Sequence, residues 1–484
     1  MQVVQGSQPY ARALELPRLV PLDWGSYAAR LLIAGEKLFD LIAIVAAMYL
    51  ANALHPALRQ ARLRNSSTVL LCGVVAGAVF VFLLERHGGY RAFSSLLSIR
   101  ETERLLRVIS QSFLVVSGTV YFLSIPLPQI TMLWWAILAA LFLLLEKREV
   151  YGLLCSLRRR GHGIQRALIL GTGSAARRIY TSLLHSPKFG IAPVAFIDLD
   201  EQSAISEIYP CSYRRDHPAP VLQGPVNEAL LRRLEASVIV ISQPEMDRRE
   251  RKAILREAAE LGVAVLFVPE ELFRDGCQLD YTDVDGITLA HVSEPQARPL
   301  YEAGKRILDV GLASVALLIF ALFVPLLVLL VKKSSPGPVF FRQERIGKGG
   351  RPFTIYKIRT MYEEAPKYDY SPSQSGDLRV TPFGRFLRRT SLDEIPQLIN
   401  VLIGQMSLVG PRPEMPFIVE QYTPEQRERL ALKPGVTGLW QISADRAFPI
   451  HQHLEYDAYY AQHRSFFMDL AILLHSFPFA ARGT

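Results

Sequence analysis

Lys305-Arg306 opens, and Lys332-Lys333 closes, the stretch whose reading decides how this chain is built: an apolar run from Ile307 to Val331, interrupted by Pro325 near its end. The run exceeds the ~20 residues a bilayer needs. A helix passing straight through would leave basic pairs on both sides, whereas Lys and Arg collect on the cytoplasmic side. A helix that enters, breaks at Pro325 and returns keeps all four cations on one face. The stretch therefore reads as a re-entrant membrane helix that holds the following residues on the cytoplasmic side. A kinked spanning helix is the alternative, and it would put the basic C-terminal region outside.

Upstream, four further apolar runs, Leu38–Leu54, Val69–Leu84, Leu106–Ile125 and Ile130–Leu145, read as a four-helix transmembrane bundle within residues 1–150. No short apolar core followed by a small-residue cleavage site precedes them, so the N-terminus is expected to stay attached. Arg86, Arg91, Arg100, Arg104, Lys147, Arg148 and the triplet Arg158–Arg160 favour a cytoplasmic location for both termini, against Arg59, Arg62 and Arg64 in the first loop. The composition agrees: of 484 residues 50% are hydrophobic and 20% charged, which excludes a disordered or collagenous chain. Four cysteines without C-x-x-C spacing suggest neither zinc nor a disulfide framework. The net charge of +9 is concentrated between Lys332 and Arg389, where 13 Lys or Arg face 5 Asp or Glu. Beside an apolar run, that surplus points to phosphates and the lipid bilayer as partners, and not to nucleic acid.

Between the bundle and the re-entrant run, residues 165–290 alternate short β-rich segments with helical ones. Ala167–Leu170, Val194–Ile197, Val238–Ile241 and Val263–Val268 read as strands of a Rossmann-like α/β domain, with Arg249–Leu261 helical. Gly171-Thr172-Gly173 follows the first strand and Asp198 ends the second. Glycines let a phosphate approach a helix start and an acid can hold a ribose hydroxyl, so Gly171, Gly173 and Asp198 are the candidate nucleotide-binding residues. Ala176 where a third glycine is usual, and the lack of hydride-transfer residues, leave no firm case for NAD. Tyr301-x-x-x-Lys305 mimics a dehydrogenase pair and is read as chance, and His451 and His453 are a weak metal pair.

Residues 300–484 carry the densest chemistry. Phe341–Gly347 and Phe353–Met361 read as paired strands around Gly349-Gly350, with Lys357 and Arg359 two apart on one face, able to neutralise a diphosphate together. Ser391-Leu392-Asp393-Glu394 opens an amphipathic helix. Its acid pair is either a capping box, Ser391 with Glu394, or a dyad that meets a metal-bound phosphate at the helix start while a carboxylate attacks phosphorus. Leu408-Val409-Gly410-Pro411-Arg412-Pro413-Glu414 and Lys433–Gln441 follow as rigid turns. Phe466, Phe467, Leu470 and Leu474 with Trp440 form either an interfacial apolar surface or ordinary core.

Taken together, Lys305 to the end resembles the bacterial sugar transferase family, the monotopic phosphoglycosyl transferases. Nearly the whole chain is similar to its large polyprenyl glycosylphosphotransferase branch, which acts in exopolysaccharide, capsule or O-antigen synthesis. The resemblance implies an α+β catalytic domain, with Asp393 as nucleophile and Glu394 completing the dyad, the two also serving a Mg²⁺ ion for which Mn²⁺ would substitute. It implies that Lys357, Arg359, Arg412, Arg342, Arg345 and Arg446 bind substrate phosphates, although Ala444-Asp445 departs from the usual Ser-Gly before Arg446. A UDP-sugar, UDP-glucose favoured, would give its hexose 1-phosphate to undecaprenyl phosphate with release of UMP. The implied location is the cytoplasmic face of a bacterial inner membrane, and the bundle and α/β domain offer surfaces for a homodimer. A membrane-tethered, nicotinamide-dependent sugar-nucleotide oxidoreductase or epimerase and a non-catalytic scaffold are the competing readings.

Overall fold

Apolar stretches rich in helix-forming Leu and Ala, with charged residues interspersed, produce four long helices at the start of the computed structural model: α1 (Tyr27–Leu54), α2 (Ser66–Arg86), α3 (Ser98–Phe122) and α4 (Gln129–Arg159). The structure describes residues 27–54, 66–90, 98–125, 127–159, 164–185, 190–198, 206–208, 218–242, 246–267, 278–284, 287–293, 298–365, 377–443 and 454–482. It divides into two units, Met1–Arg274 and Asp275–Thr484. All four helices are long and apolar enough to cross a membrane. They pack on a shared core that includes Met48, Phe80, Trp135 and Leu143, with Cys72 buried at its edge. Large side chains such as Leu71, Phe82 and Leu114 face outward, which is costly in water and neutral in lipid.

The remainder of this unit is a six-stranded sheet. It is formed by β1 (Gln165–Leu170), β2 (Ile191–Asp198), β3 (Glu207–Ile208), β4 (Ala219–Gln223), β5 (Ala236–Ile241) and β6 (Ala264–Phe267), in the order β3-β4-β2-β1-β5-β6. All neighbours are parallel except β3 and β4. Helices α5 (Ser174–His185), α6 (Glu228–Leu234) and α7 (Arg248–Glu260) provide the connections. Two apolar clusters, one around Leu168 and Ile239 and one around Ile169 and Phe196, pack on the sheet, as alternation along buried parallel strands requires. The expected alternation of strands and helices is present as this mixed, mostly parallel sheet.

The second unit begins with a hairpin, β7 (Gln278–Val284) and β8 (Ile287–Ser293), followed by α8, a helix of 36 residues from Pro299 to Ser334. It runs uninterrupted through Pro325, so the expected break at that residue is absent. Four residues earlier the Ala321 carbonyl loses its donor, a loss a helix tolerates where local adjustment or neighbouring groups satisfy the freed carbonyl. Buried positions Asp309, Ala313, Phe320, Leu327 and Val331 mark one side of α8, whereas Leu318, Leu322 and Leu329 are exposed.

After α8 come the antiparallel pair β9 (Phe340–Ile346) and β10 (Pro352–Ile358). Gly349 and Gly350, at φ +68 and +75, make the turn between them. Helix α9 (Pro382–Thr390) is capped by Thr381, whose hydroxyl accepts from the Gly384 N–H. The short α10 (Leu398–Ile403) leads to β11 (Ser407–Val409), which pairs in parallel with β12 (Gly435–Thr437). Short helices α11 (Pro416–Val419) and α12 (Pro424–Arg427) lie between these two strands, and α13 (Leu454–His463) and α14 (Phe466–Arg482) end the chain.

Candidate active site

The acid pair does not open a long helix. Ser391 ends α9 in the left-handed region, at φ +55, and a 3-10 turn over Leu392–Gln397 carries Asp393 and Glu394. The Ser391 side chain makes no capping bond, so the capping box is absent, and α10 behind the turn is only six residues long. Pro396 explains the local form: it has no N–H to close an α-helical bond onto Leu392, and the tighter turn remains. Neighbours in such a turn point about 120° apart, so the two carboxylates diverge.

Asp393 is buried, at 7% exposure. Burial and the negative charge of Glu394 push its carboxyl up to about 6, against the pull of Lys357 and Arg388. Glu394 goes the other way. Burial would raise it, but Lys357 and then Arg412 outweigh burial and hold it down at about 2. Lys357 Nζ donates to Glu394 Oε1 at 2.8 Å and Arg412 Nη2 to the same oxygen at 3.4 Å. One acid is thus a locked anion between two cations, and the other is a basic, sheltered carboxylate. Such separation of paired carboxyl groups is how a site gives each a different task.

Arg412 is fixed by its backbone. Gly410 and Gly435 bring β11 and β12 so close that a Cβ on Gly435 would strike Gly410 N. Each carbonyl of the following turn is then taken: Pro411 O accepts from Gly435 N at 2.8 Å and Arg412 O from Arg429 Nη2 at 3.0 Å. Pro413 O accepts from Arg345 Nη1 at 3.4 Å and Glu414 O from Ile346 N at 3.0 Å. Arg429 is itself buried, held by Asp457 at 2.9 Å and Tyr422 Oη at 2.7 Å. The Arg412 guanidinium lies 6.0 Å from the centre of the buried Trp440 ring.

The structure therefore brings Asp393, Glu394, Lys357 and Arg412 together and sends the other predicted cations elsewhere. Arg359 is buried and donates to Ser335 O at 2.8 Å and to Pro336 O, closing the end of α8. It does not share an open face with Lys357, because β10 ends at Ile358, between them. Arg345 is spent on Pro413 O, as above, and on Gln343, at 2.8 Å. Arg342 is exposed with its guanidinium over the Tyr356 ring at 5.7 Å. Arg446, His451 and His453 lie outside the described residues. Trp440 is buried and so leaves the proposed interfacial surface, while Phe466 and Leu474 stay exposed. Tyr301 and Lys305 both bind Asp469 Oδ2 at 2.8 Å, a structural use that removes the dehydrogenase resemblance. In the α/β sheet, Gly171 at φ +102 begins the turn after β1, Gly173 precedes α5, and Asp198 ends β2.

Sequence reasoning passed over three residues that support the site. Arg429 sits in a charged run that reads as a solvated face. Asp309 on α8 accepts from Ser407 Oγ at 2.7 Å and Leu408 N at 3.1 Å, and Arg306 donates to Val401 O and Leu402 O at 2.6 and 2.7 Å. An acid within an apolar run and a basic residue at its start were the available signals, and both also suit membrane topology. Among the described residues no group of three or more His, Cys, Asp or Glu is placed to hold a metal ion. Two adjacent carboxylates still suit Mg²⁺, which takes one or two protein oxygens and completes its shell from water and substrate phosphates.

The sequence profile of the bacterial sugar transferase family matches residues 300–483, and that of a CoA-binding domain matches residues 85–269. A UDP-glucose:undecaprenyl-phosphate glucose-1-phosphate transferase of Klebsiella pneumoniae is 26% identical over 415 residues, 84% of this chain and 87% of that protein. A protein of the same description from Caulobacter vibrioides is 44% identical over 195 residues, covering 38% of this chain and 72% of the relative. A UDP-N-acetylgalactosamine-undecaprenyl-phosphate N-acetylgalactosaminephosphotransferase of Aeromonas hydrophila is 36% identical over 208 residues, 40% of this chain and 49% of its own. Residues 300–483, which match the family profile, hold the Asp393–Glu394 turn and the clamped Arg412, and by these likenesses the chain belongs to the bacterial sugar transferase family.

Proposed function

We propose that this protein transfers a hexose 1-phosphate, glucose 1-phosphate favoured, from a UDP-sugar to undecaprenyl phosphate and releases UMP. The observation that carries the proposal is the dyad turn: a basic, buried Asp393 beside a Glu394 that holds Lys357 and Arg412 in place. The Asp393 carboxylate attacks the β-phosphorus, the bond to the α-phosphate oxygen breaks, and UMP leaves with its electron pair. The resulting acyl phosphate is then attacked at the same phosphorus by an oxygen of undecaprenyl phosphate, which returns Asp393 as a carboxylate. Lys357 and Arg412 bind and orient the diphosphate, exchanging part of their hold on Glu394 for substrate oxygens. Mg²⁺ held by Asp393 and Glu394 would supply charge neutralisation at the diphosphate.

The position of α8 supports the membrane part of this reading. Arg306 and Asp309 near its start and Phe320, Leu327 and Val331 towards its end all pack on catalytic elements, the last three in one cluster with Ile358 and Leu387. A helix held over that length against the catalytic body suits a membrane element that keeps this body at the bilayer surface better than a bare crossing, so the polyprenyl tail would stay in lipid while its phosphate reaches Asp393. The reaction would start a polysaccharide repeat unit on the cytoplasmic face of a bacterial inner membrane. Relatives named for glucose and for N-acetylgalactosamine leave the hexose to be fixed by a donor panel. The test is UMP release from purified protein given each UDP-sugar, undecaprenyl phosphate and Mg²⁺. Lipid-dependent release with one preferred donor is expected, and no release from folded protein with any donor would refute the proposal.

A further inference from the structure

Where α8 ends, four exposed cations stand without an acidic partner among the described residues: Lys332 and Lys333 in its last turn, and Arg385 and Arg389 on α9. The two helices meet at this corner. Phe383 N donates to Ser334 Oγ at 3.4 Å, and Val331, Phe383 and Leu387 belong to one apolar cluster. The inward side of α9 is fully engaged, with Gly384 and Leu387 buried and Arg388 Nε donating to Thr360 Oγ1 at 3.0 Å.

The outward side is a stripe. Pro382, Arg385, Phe386 and Arg389 follow the three- and four-residue spacing of one helical face, and all four are exposed. Phe386 is 50% exposed and stacks on Phe383 with ring centres 5.7 Å apart. The apolar face of α8 reaches the same corner through the exposed Leu322, Phe323, Leu326 and Leu329. The acidic residues between the helices do not cancel the charge. Among the described residues, Asp377 is bound by Arg379 at 2.8 Å and Glu363 lies beside Arg359 next to Gly337, which leaves Glu344 on β9 and Glu364 against four cations.

An aromatic ring between unpaired guanidinium groups, continuous with a lipid-facing helix, is the composition of a helix that lies in the headgroup plane. We infer that the α8–α9 corner binds the headgroups of anionic phospholipids, with Phe386 among the acyl chains and Lys332, Lys333, Arg385 and Arg389 on the phosphates. This rests on the reading that α8 lies in a bilayer, and on no assumption about the reaction. Lipid charge then holds α9 at the surface, directly before the turn that carries Asp393.

The test uses full-length protein in nanodiscs of phosphatidylcholine in which one lipid in four is phosphatidylglycerol, without donor sugar. After transfer to detergent, retained lipids are counted by native mass spectrometry. Wild type should retain phosphatidylglycerol above its bulk share, and Arg385→Gln with Arg389→Gln should lower the retained phosphatidylglycerol-to-phosphatidylcholine ratio at least about fivefold, each basic residue contributing about that factor. Arg351→Gln, an exposed cation in the β9–β10 turn, should leave it unchanged. Equal retention by wild type and the double variant, at equal melting temperature, overturns the inference. Undecaprenyl phosphate added in stoichiometric amount should not displace the phosphatidylglycerol; if it does, the corner belongs to the acceptor and the inference fails. A photo-crosslinking residue in place of Phe386 should label phosphatidylglycerol preferentially, and labelling in the bulk ratio contradicts it. Since no turnover is read, this outcome is separate from the fate of the proposed reaction.

Discussion

Helices α1–α4 and helix α8 share a membrane-like composition but dispose of their polar residues in opposite ways. In the bundle, charges pair among themselves. Fully buried Asp40 accepts from Tyr90 Oη at 2.6 Å and lies 2.8 Å from Lys147 Nζ, which also reaches Glu36 at 2.7 Å, while Lys37 pairs with Glu85 at 2.7 Å. In the first turns of α8 the polar side chains reach out to the elements that follow: Arg306 to the end of α10, Asp309 to β11, and Tyr301 and Lys305 to Asp469 on α14. Burial follows suit, since 28 to 39% of each bundle span is buried and only 17% of the α8 span. The bundle is self-sufficient, whereas α8 is a structural member of the catalytic body that happens to be apolar on its other side.

That contrast makes changes on the α8 side costly for turnover and changes in the bundle costly for stability alone. Arg412→Ala, which removes the clamped cation at the dyad, should lower kcat/KM for UMP release by about a hundredfold or more. Asp309→Ala strips β11 of an acceptor for two donors, an unsatisfied cost of about 1–3 kcal/mol. Turnover should fall about tenfold, and Asp309→Asn, which can still accept from Leu408 N, should restore most of it. Arg429→Lys keeps the charge but loses the fork that joins Asp457, Tyr422 and Arg412 O, and a loss near tenfold in kcat/KM at unchanged expression is expected. Asp40→Asn should leave turnover per folded molecule within about twofold while lowering the melting temperature, because a buried cation loses its partner. A large loss of specific activity in that variant would break the comparison.

A smaller effect has a sign fixed by electrostatics. The folded-state value of Asp393 stands at about 6, above the ordinary 3.8, so its ionisation opposes folding once pH rises between those values. Asp393→Asn should therefore melt higher than wild type above pH 6 in EDTA, with the gain vanishing below about pH 4. Glu394→Gln should do the reverse at neutral pH, because Glu394 is held near 2 and its ionised form supports the fold. Thermal melts across pH check both.

The architecture was legible from periodicity because both its signals are long or repeated: four apolar runs each found their helix, and the four expected strands all appear. Asp393, Glu394, Lys357 and Arg412 stood out as motifs, and the fold gathers them. What the sequence hid is direction. Lys357 and Arg359 are two apart, but β10 ends at Ile358, and the chain turns Arg359 towards the carbonyls that close α8. Ser391-x-x-Glu394 matched a capping box, but Pro396 removed an amide the longer helix needed. Arg429 was invisible because its partners, Asp457, Tyr422 and the Arg412 carbonyl, meet it only through the fold.

The central claim is that Asp393 becomes covalently attached to the sugar phosphate. Purified protein incubated with UDP-glucose and Mg²⁺ in the absence of undecaprenyl phosphate, then acid-quenched and digested, should yield the Asp393 peptide carrying one hexose phosphate. The adduct should disappear on addition of the lipid acceptor and never form in Asp393→Asn. UMP release from wild type with no adduct on that peptide, or full release from Asp393→Asn, would contradict the account.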